Sequence, residues 1–201
     1  VQWNTKEALQ NMIQIEAGDK DKMSVVYKGN ITFAKPDFSS APDVCLNIES
    51  STGYYHQIVP TPPRSFEGVI DVPEAISQLA EDMGMTFENN GVTAKLSNQY
   101  LPDSALGKVQ MLAKHADLDL YIDNDTIAIA PKGAPRMVDV PVIKPTTGLI
   151  GYPVPDLIGV QFACLYDPAL RFGGLVEIED SIIPPCIGIW RVFGRNFPLD
   201  S

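Results

Sequence analysis

The chain has 201 residues, 45% hydrophobic and 20% charged, enough for one large domain or two small ones with a buried core. Its formal net charge is -10, and its longest basic feature, Lys20-Asp21-Lys22, is broken by an acid, which argues against specific nucleic-acid binding. No apolar run approaches the roughly 18 to 20 residues of a membrane-spanning helix.

The start, Val1-Gln2-Trp3-Asn4, has no initiator Met and no signal-peptide pattern, so a fragment of a longer natural protein is expected. The first third reads as strands. Met12 to Glu16 alternates and stops at Ala17-Gly18-Asp19-Lys20. Met23 to Tyr27 and Ile31 to Ala34 follow, joined by Lys28-Gly29-Asn30, which predicts a tight hairpin. Pro36 and Pro42 frame a loop before the strand Val44 to Ile48. Tyr54 to Val59 predicts a further strand, ended by Pro60-Thr61-Pro62-Pro63. About five short strands with regular turns have the rhythm of a small barrel or sandwich.

The period changes in the middle of the chain. Val72, Ala75, Ile76, Leu79, Ala80 and Met83 form a stripe at helical spacing. Asp71 and Glu74 have capping-box spacing, Pro73 lies in the first turn, and Gly84 suits the stop. Met85 to Phe87 and Val92 to Leu96 predict strands, with Asn89-Asn90-Gly91 as the turn. A second helix opens near Pro102-Asp103-Ser104 and carries Leu106, Val109, Ala113 and Ala116 to about Asp117. Leu118 to Ile122 and Thr126 to Ala130 predict two strands across Asp123-Asn124-Asp125. Residues 133 to 156 hold five prolines and three glycines and predict a linker or crossing arm, with one short strand around Val138 to Ile143. The last segment predicts strands at Leu157 to Tyr166, Leu175 to Ile178 and Ile187 to Phe193.

Catalytic chemistry needs converging polar groups, and the sequence offers few. Cys45, Cys164 and Cys186 are far apart and odd in number, without C-x-x-C spacing, and only His56 and His115 stand beside them. Cys45 and Cys164 sit in apolar stretches, where a thiol acts as a small buried hydrophobe. A reducing compartment fits, and a disulfide framework does not. His56 with Cys45 is the one conceivable thiol dyad, weighed against a strand histidine at a surface. His115, in the last turn of the second helix, suits the C-terminal dipole. The acid pairs Glu81-Asp82, Asp117-Asp119, Asp123-Asp125 and Glu177-Glu179-Asp180 bring no visible cleft or raised pKa. Asp123-Asn124-Asp125 opens like a calcium loop but lacks the glycine and distal glutamate, so it reads as a hairpin turn. Asn30-Ile31-Thr32 fits a glycosylation acceptor, a motif that means nothing outside a secretory context. Phe172-Gly173-Gly174 lacks the spacing of a phosphate loop and reads as a bend between strands. Thr147-Gly148-Leu149-Ile150-Gly151-Tyr152-Pro153 reads as a shape-setting segment. The expectation is therefore no catalytic, cofactor-binding or metal-ligating residue, no cofactor, and no enzyme.

Several segments resemble a known family in collinear order. Asn11 to Gly18, Val26 to Ile31 and Ala41 to Ile48 are similar to the opening barrel of phage baseplate hub proteins. Ser65-Phe66-Glu67-Gly68 through the helix to Asn90-Gly91-Val92, then Leu96-Ser97-Asn98 and Ile127 to Gly133, continue the resemblance. Thr147 to Pro153, Asp167-Pro168 and Gly188 to Val192 complete it, so it covers about Asn11 to Leu199. The resemblance implies a structural subunit of a contractile phage tail. In such hubs a homotrimeric ring joins the tail tube to the central spike, and each subunit supplies two similar β-barrel units. It implies a place in the virion baseplate, after assembly in the bacterial host cytoplasm. Some hubs are joined to cell-wall hydrolases, but no residue here matches such a domain.

The fold expectation is α+β, with β-barrel-like segments flanking a small two-helix α/β unit. The boundaries expected are 1-64 for the first β segment, 65-133 for the α/β unit, and 134-201 for a proline-rich arm with a second β segment. Two rival readings are a ring-building module of a bacterial envelope secretion channel, which shares the pattern at 65-133, and a thiol or carboxylate hydrolase.

Overall fold

Two alternating runs near the start zip into the first sheet. β1 (Met12–Asp19) pairs antiparallel with β2 (Lys22–Asp37), which pairs on its other side with β3 (Cys45–Ser51). The computed structural model describes residues 9–19, 22–39 and 41–198. It divides into two compact units, residues 1–132 and 133–201.

The hairpin expected at Lys28-Gly29-Asn30 does not form, because β2 runs straight through it for 16 residues. Gly29 stands opposite Ile13 beneath the Tyr27 ring, where an added Cβ would collide with the Tyr27 hydroxyl. The glycine serves close approach, not a turn. Asn30 is buried, and its Oδ1 accepts the backbone N–H of Tyr55 at 3.2 Å. β3 ends opposite Asn30, which leaves the β2 backbone at Lys28 without a strand partner on that side. Two side chains replace it. Lys28 N–H donates to Asn124 Oδ1 at 2.9 Å, and Thr52 Oγ1 donates to the Lys28 carbonyl at 2.9 Å.

Tyr54 to Val59 is likewise not a strand. Residues Tyr54–Ile58 form the short helix α1, entered through Gly53 at φ 70°. Five residues are too few for periodicity to separate helix from strand, and their aromatic content misleads. The left-handed turn at Gly53 and the Asn30 side chain decide the matter.

The α/β segment follows the predicted order. β4 (Arg64–Asp71) leads into α2 (Val72–Asp82), then β5 (Thr86–Asn89), β6 (Lys95–Leu101), α3 (Ala105–His115), β7 (Leu118–Asp123) and β8 (Thr126–Pro131). The Asp71 carboxylate accepts the Glu74 N–H at the start of α2, and Gly84 turns the chain at φ 69° after its end. Ser104 caps α3 by accepting the Gly107 N–H at 3.2 Å. The strands on either side of Asn89-Asn90-Gly91 do not pair with each other. β6 joins β4, whereas β5 lies parallel to β8, which also pairs with β7 across the Asn124-Asp125 turn. Ile76 and Leu79 of α2, Val109 and Leu112 of α3, and Ile127 and Ile129 of β8 meet in one buried core.

In the second unit, β9 (Val142–Ile143) lies parallel to β12 (Leu175–Ile178), which pairs antiparallel with β13 (Gly188–Arg191). Ile143, Val176, Ile178 and Cys186 are buried here. Arg136 is buried too, with Nη1 donating to the Phe172 carbonyl at 3.0 Å. The proline-rich arm is more ordered than expected: Leu149–Asp156 is strand β10, paired with β11 (Gly159–Cys164). The ladder slips between Ile150 and Val154, and Pro153 falls in that bulge, so its missing donor breaks no rung. The strand expected from Leu157 starts two residues later, since Leu157-Ile158 is the hairpin tip. The architecture is α+β, as expected, and among the described residues every sheet is open, none a closed barrel.

Candidate interaction surfaces

Pleating sends successive side chains to opposite faces, so the register assigns each residue of the first sheet to a side. Lys28 and Asn30 share one face: Lys28 Nζ reaches Asp125 Oδ2 of the α/β segment at 2.6 Å, and Asn30 takes the N–H of Tyr55 in α1. The opposite face therefore turns away from that segment. It carries Ile13, Ile15, Ile31, Ala34, Leu46 and Ile48. Ile13, Ile15, Ile31 and Ala34 are half-buried, whereas Leu46 and Ile48 of the edge strand β3 are 64% and 39% exposed. A half-buried strand should point polar residues outward. β1 follows that rule, with Gln14 and Glu16 exposed between half-buried Ile13 and Ile15, and on this face only β3 exposes apolar side chains.

The β10–β11 hairpin departs from the rule. Leu149, Pro153, Val160, Phe162 and Cys164 are buried or half-buried, whereas Ile150, Tyr152, Val154 and Ala163 are exposed. At the tip Leu157 is fully exposed and Ile158 is 77% exposed. Among residues 149 to 164 the only charge is Asp156.

A cleft of about 330 Å³ lies where α1 meets the first sheet, lined by Met12, Lys28, Asn30, Tyr55, His56 and Asp125 among others. His56 is half-buried, and burial pushes its imidazole below the ordinary value, favouring the neutral form. Cys45 is not its neighbour. The thiol sits at the far end of β3, opposite Asp37, six residues from the Ser51 end that leads to α1. At roughly 3.3 Å per residue that is on the order of 20 Å.

Cys45 is exposed rather than buried, because β3 is an edge strand and the thiol lies at its end. Cys164 is half-buried, and burial, then Asp167, raises its pKa; Cys186 is fully buried. His115 Nδ1 lies 2.8 Å from Gln99 Oε1 at the end of α3. Asp123-Asn124-Asp125 is a hairpin turn, with Asn124 at φ 54°. Gly173-Gly174 is a bend braced against Val192: Gly173 N–H donates to its carbonyl, and its N–H donates to Gly174. Among the described residues no group of three or more His, Cys, Asp or Glu is placed to hold a metal ion, and no helix is long and apolar enough to cross a membrane. What sequence reasoning missed is the exposure of the apolar residues on β10–β11, since alternation alone does not say whether a face is covered.

No curated protein matches the chain. Among solved structures it is similar to a tail protein from Neisseria meningitidis MC58, with 12% identity and a TM-score of 0.46, over 78% of this chain and 56% of that one. It is also similar to the 43 kDa tail protein of prophage MuSo2 from Shewanella oneidensis, with 8% identity and a TM-score of 0.44, over 84% of this chain and 62% of that one. The chain thus spans less than two thirds of either protein. The family model for Baseplate hub gp41 matches residues 2–201. With practically every residue matched, the chain belongs to the Baseplate hub gp41 family, structural components of the phage tail baseplate.

Proposed function

We propose that this protein is a hub subunit that assembles in threes into a ring joining the tail tube to the central spike, without enzymatic turnover. The observation that carries the reading is the family match over residues 2–201. The exposed apolar residues of the β10–β11 hairpin support it, because a subunit that lives in a ring must offer its neighbours what a monomer hides. In this reading the α/β unit at 65-133 is the scaffold, and the β segments at 1-64 and 134-201 make the contacts. Assembly takes place in the bacterial host cytoplasm, and the finished subunit resides in the virion.

Full-length protein at micromolar concentration is expected to have three times the subunit mass by sedimentation or mass photometry, and to bind tube and spike proteins. A full-length protein that stays monomeric with those partners present removes the case for a hub ring. Chemical silence is tested separately. Cys45→Ala and His56→Ala are each expected to leave assembly intact apart from any effect on folding. A hydrolytic rate present in the parent and lost in either variant, at unchanged stability, overturns the non-enzymatic reading.

A further inference from the structure

We propose that the outer edge of β11 pairs antiparallel with the same edge of a second copy, about a two-fold axis at Phe162, to make a four-stranded sheet β10–β11–β11–β10. The pairing goes beyond the ring reading and does not depend on it. Two rings of three joined this way hold six copies, and subunits without a ring form pairs.

An edge strand presents a row of unpaired N–H and C=O groups, and proteins guard such edges with charge, proline or very short strands. Five sheets leave ten outer strands among the described residues. Eight carry a charged residue, as Glu49 on β3 and Lys95 on β6 do, and β9 is two residues long. Only β11, Gly159-Val160-Gln161-Phe162-Ala163-Cys164, runs for six residues with neither charge nor proline. Its partner β10 is guarded by Pro153, Pro155 and Asp156. A sheet of two strands is marginal by itself in water, so the open edge is also where stability can be gained.

That edge has a definite phase. In an antiparallel ladder, residues alternate between exchanging hydrogen bonds with the partner strand and turning their backbone groups outward. Pro155, which has no N–H, stands opposite Val160, so Val160 turns outward. The Leu165 N–H donates to the Gly148 carbonyl at 2.8 Å, which gives Cys164 the same outward sense, and Phe162 lies between the two. Among the described residues no backbone hydrogen bond joins these three to another segment. A two-fold axis at Phe162 sets Phe162 against Phe162 and Val160 against Cys164, outward residue against outward residue. Gln161 then meets Ala163, so no rung desolvates a charge. The identical strand is the fitting occupant, because it alone in this chain is both unguarded and in phase along its length. Contact of a patch with its own copy is isologous and closes at two, and the prolines of β10 stop the sheet from growing further.

The experiment uses the full-length protein and sedimentation over a range of concentrations. Six residues per strand make a contact smaller than a standard interface, so the particle mass is expected to double between about 1 and 100 μM. Val160→Pro removes an outward donor and no rung of the hairpin, and Ala163→Lys places a charge at an exposed position on the edge. Each is expected to weaken the doubling at least about 10-fold with circular dichroism unchanged. In a Cys45→Ala background, Val160→Cys is expected to form a disulfide with Cys164 of the second copy under mild oxidation, since facing residues of such a rung lie about 5.5 Å apart. Within one chain the two positions are about 13 Å apart, so the bond reports only pairing. Leu157→Cys at the hairpin tip is the control and should stay uncrosslinked. A mass that does not double overturns this inference, and if it stays at three the ring reading stands. Doubling from one subunit mass supports the pair and counts against the ring. Doubling that both edge variants leave unchanged puts the contact elsewhere and overturns the proposal, as does crosslinking in Leu157→Cys but not in Val160→Cys. Tube or spike protein that binds in place of the second copy, and is lost in Ala163→Lys, would assign the edge to that partner and overturn the pairing.

Discussion

Leu79→Ala is expected to lower the unfolding free energy by about 2 to 5 kcal/mol, the range for truncating a buried leucine in a packed core. Leu79 is 3% exposed on α2 and belongs to the core shared with α3 and β8. Removing its isobutyl group costs the transfer energy of the lost carbons and leaves a cavity that the flanking helices close only in part. Gln78 is the neighbouring control, exposed on the same helix, and Gln78→Ala is expected to stay within about 0.5 kcal/mol. Denaturant titration should show the midpoint of Leu79→Ala falling at an unchanged slope. A loss below about 0.5 kcal/mol would mean that this stripe is not core.

Lys108→Met is expected to cost about 1.5 to 3 kcal/mol, the range for losing hydrogen bonds made by a charged group. Lys108 lies on α3 with 3% of its surface exposed, and its Nζ donates to Thr61 Oγ1 at 2.7 Å and to the Pro62 carbonyl at 2.6 Å. These bonds tie the proline-rich run after α1, which has no ladder of its own, to the helix. Methionine keeps much of the stem's packing, so the loss reports mainly on the ammonium. Faster proteolysis around residues 60 to 63 should accompany it.

The same lysine makes a prediction about pH. Burial lowers its pKa from 10.5, Arg64 adds to the effect, and Asp103 and Asp82 oppose it. Between the lowered folded value and 10.5 the unfolded chain therefore holds more protons than the folded one. Stability from this group rises with pH through that window and levels off above 10.5. Lys108→Met should remove that rise. A pH profile identical to the parent's in the alkaline range would show that the ammonium is not perturbed in the folded state.

The sequence by itself determined the elements whose signals are local. The α2 stripe, its Asp71 cap and its Gly84 stop lie within fourteen residues and agree with one another, so the helix was legible before any fold was known. The same holds for α3 behind Ser104 and for the β7–β8 hairpin, where the turn residues sit between two alternating runs. Tertiary structure decided whatever depends on a distant partner. Lys28-Gly29-Asn30 has the residues of a turn, yet it is straight because Asn124, Thr52 and Tyr55 satisfy its polar groups from elsewhere in the first unit. β5 and β6 flank a turn but join different sheets, since their partners β8 and β4 are set by how the two helices pack. The exposed apolar residues of β10–β11 read in sequence like any strand's inner face. Alternation fixes which residues share a side, but only the folded chain reveals whether anything covers that side, because covering is a contact between segments far apart along the chain.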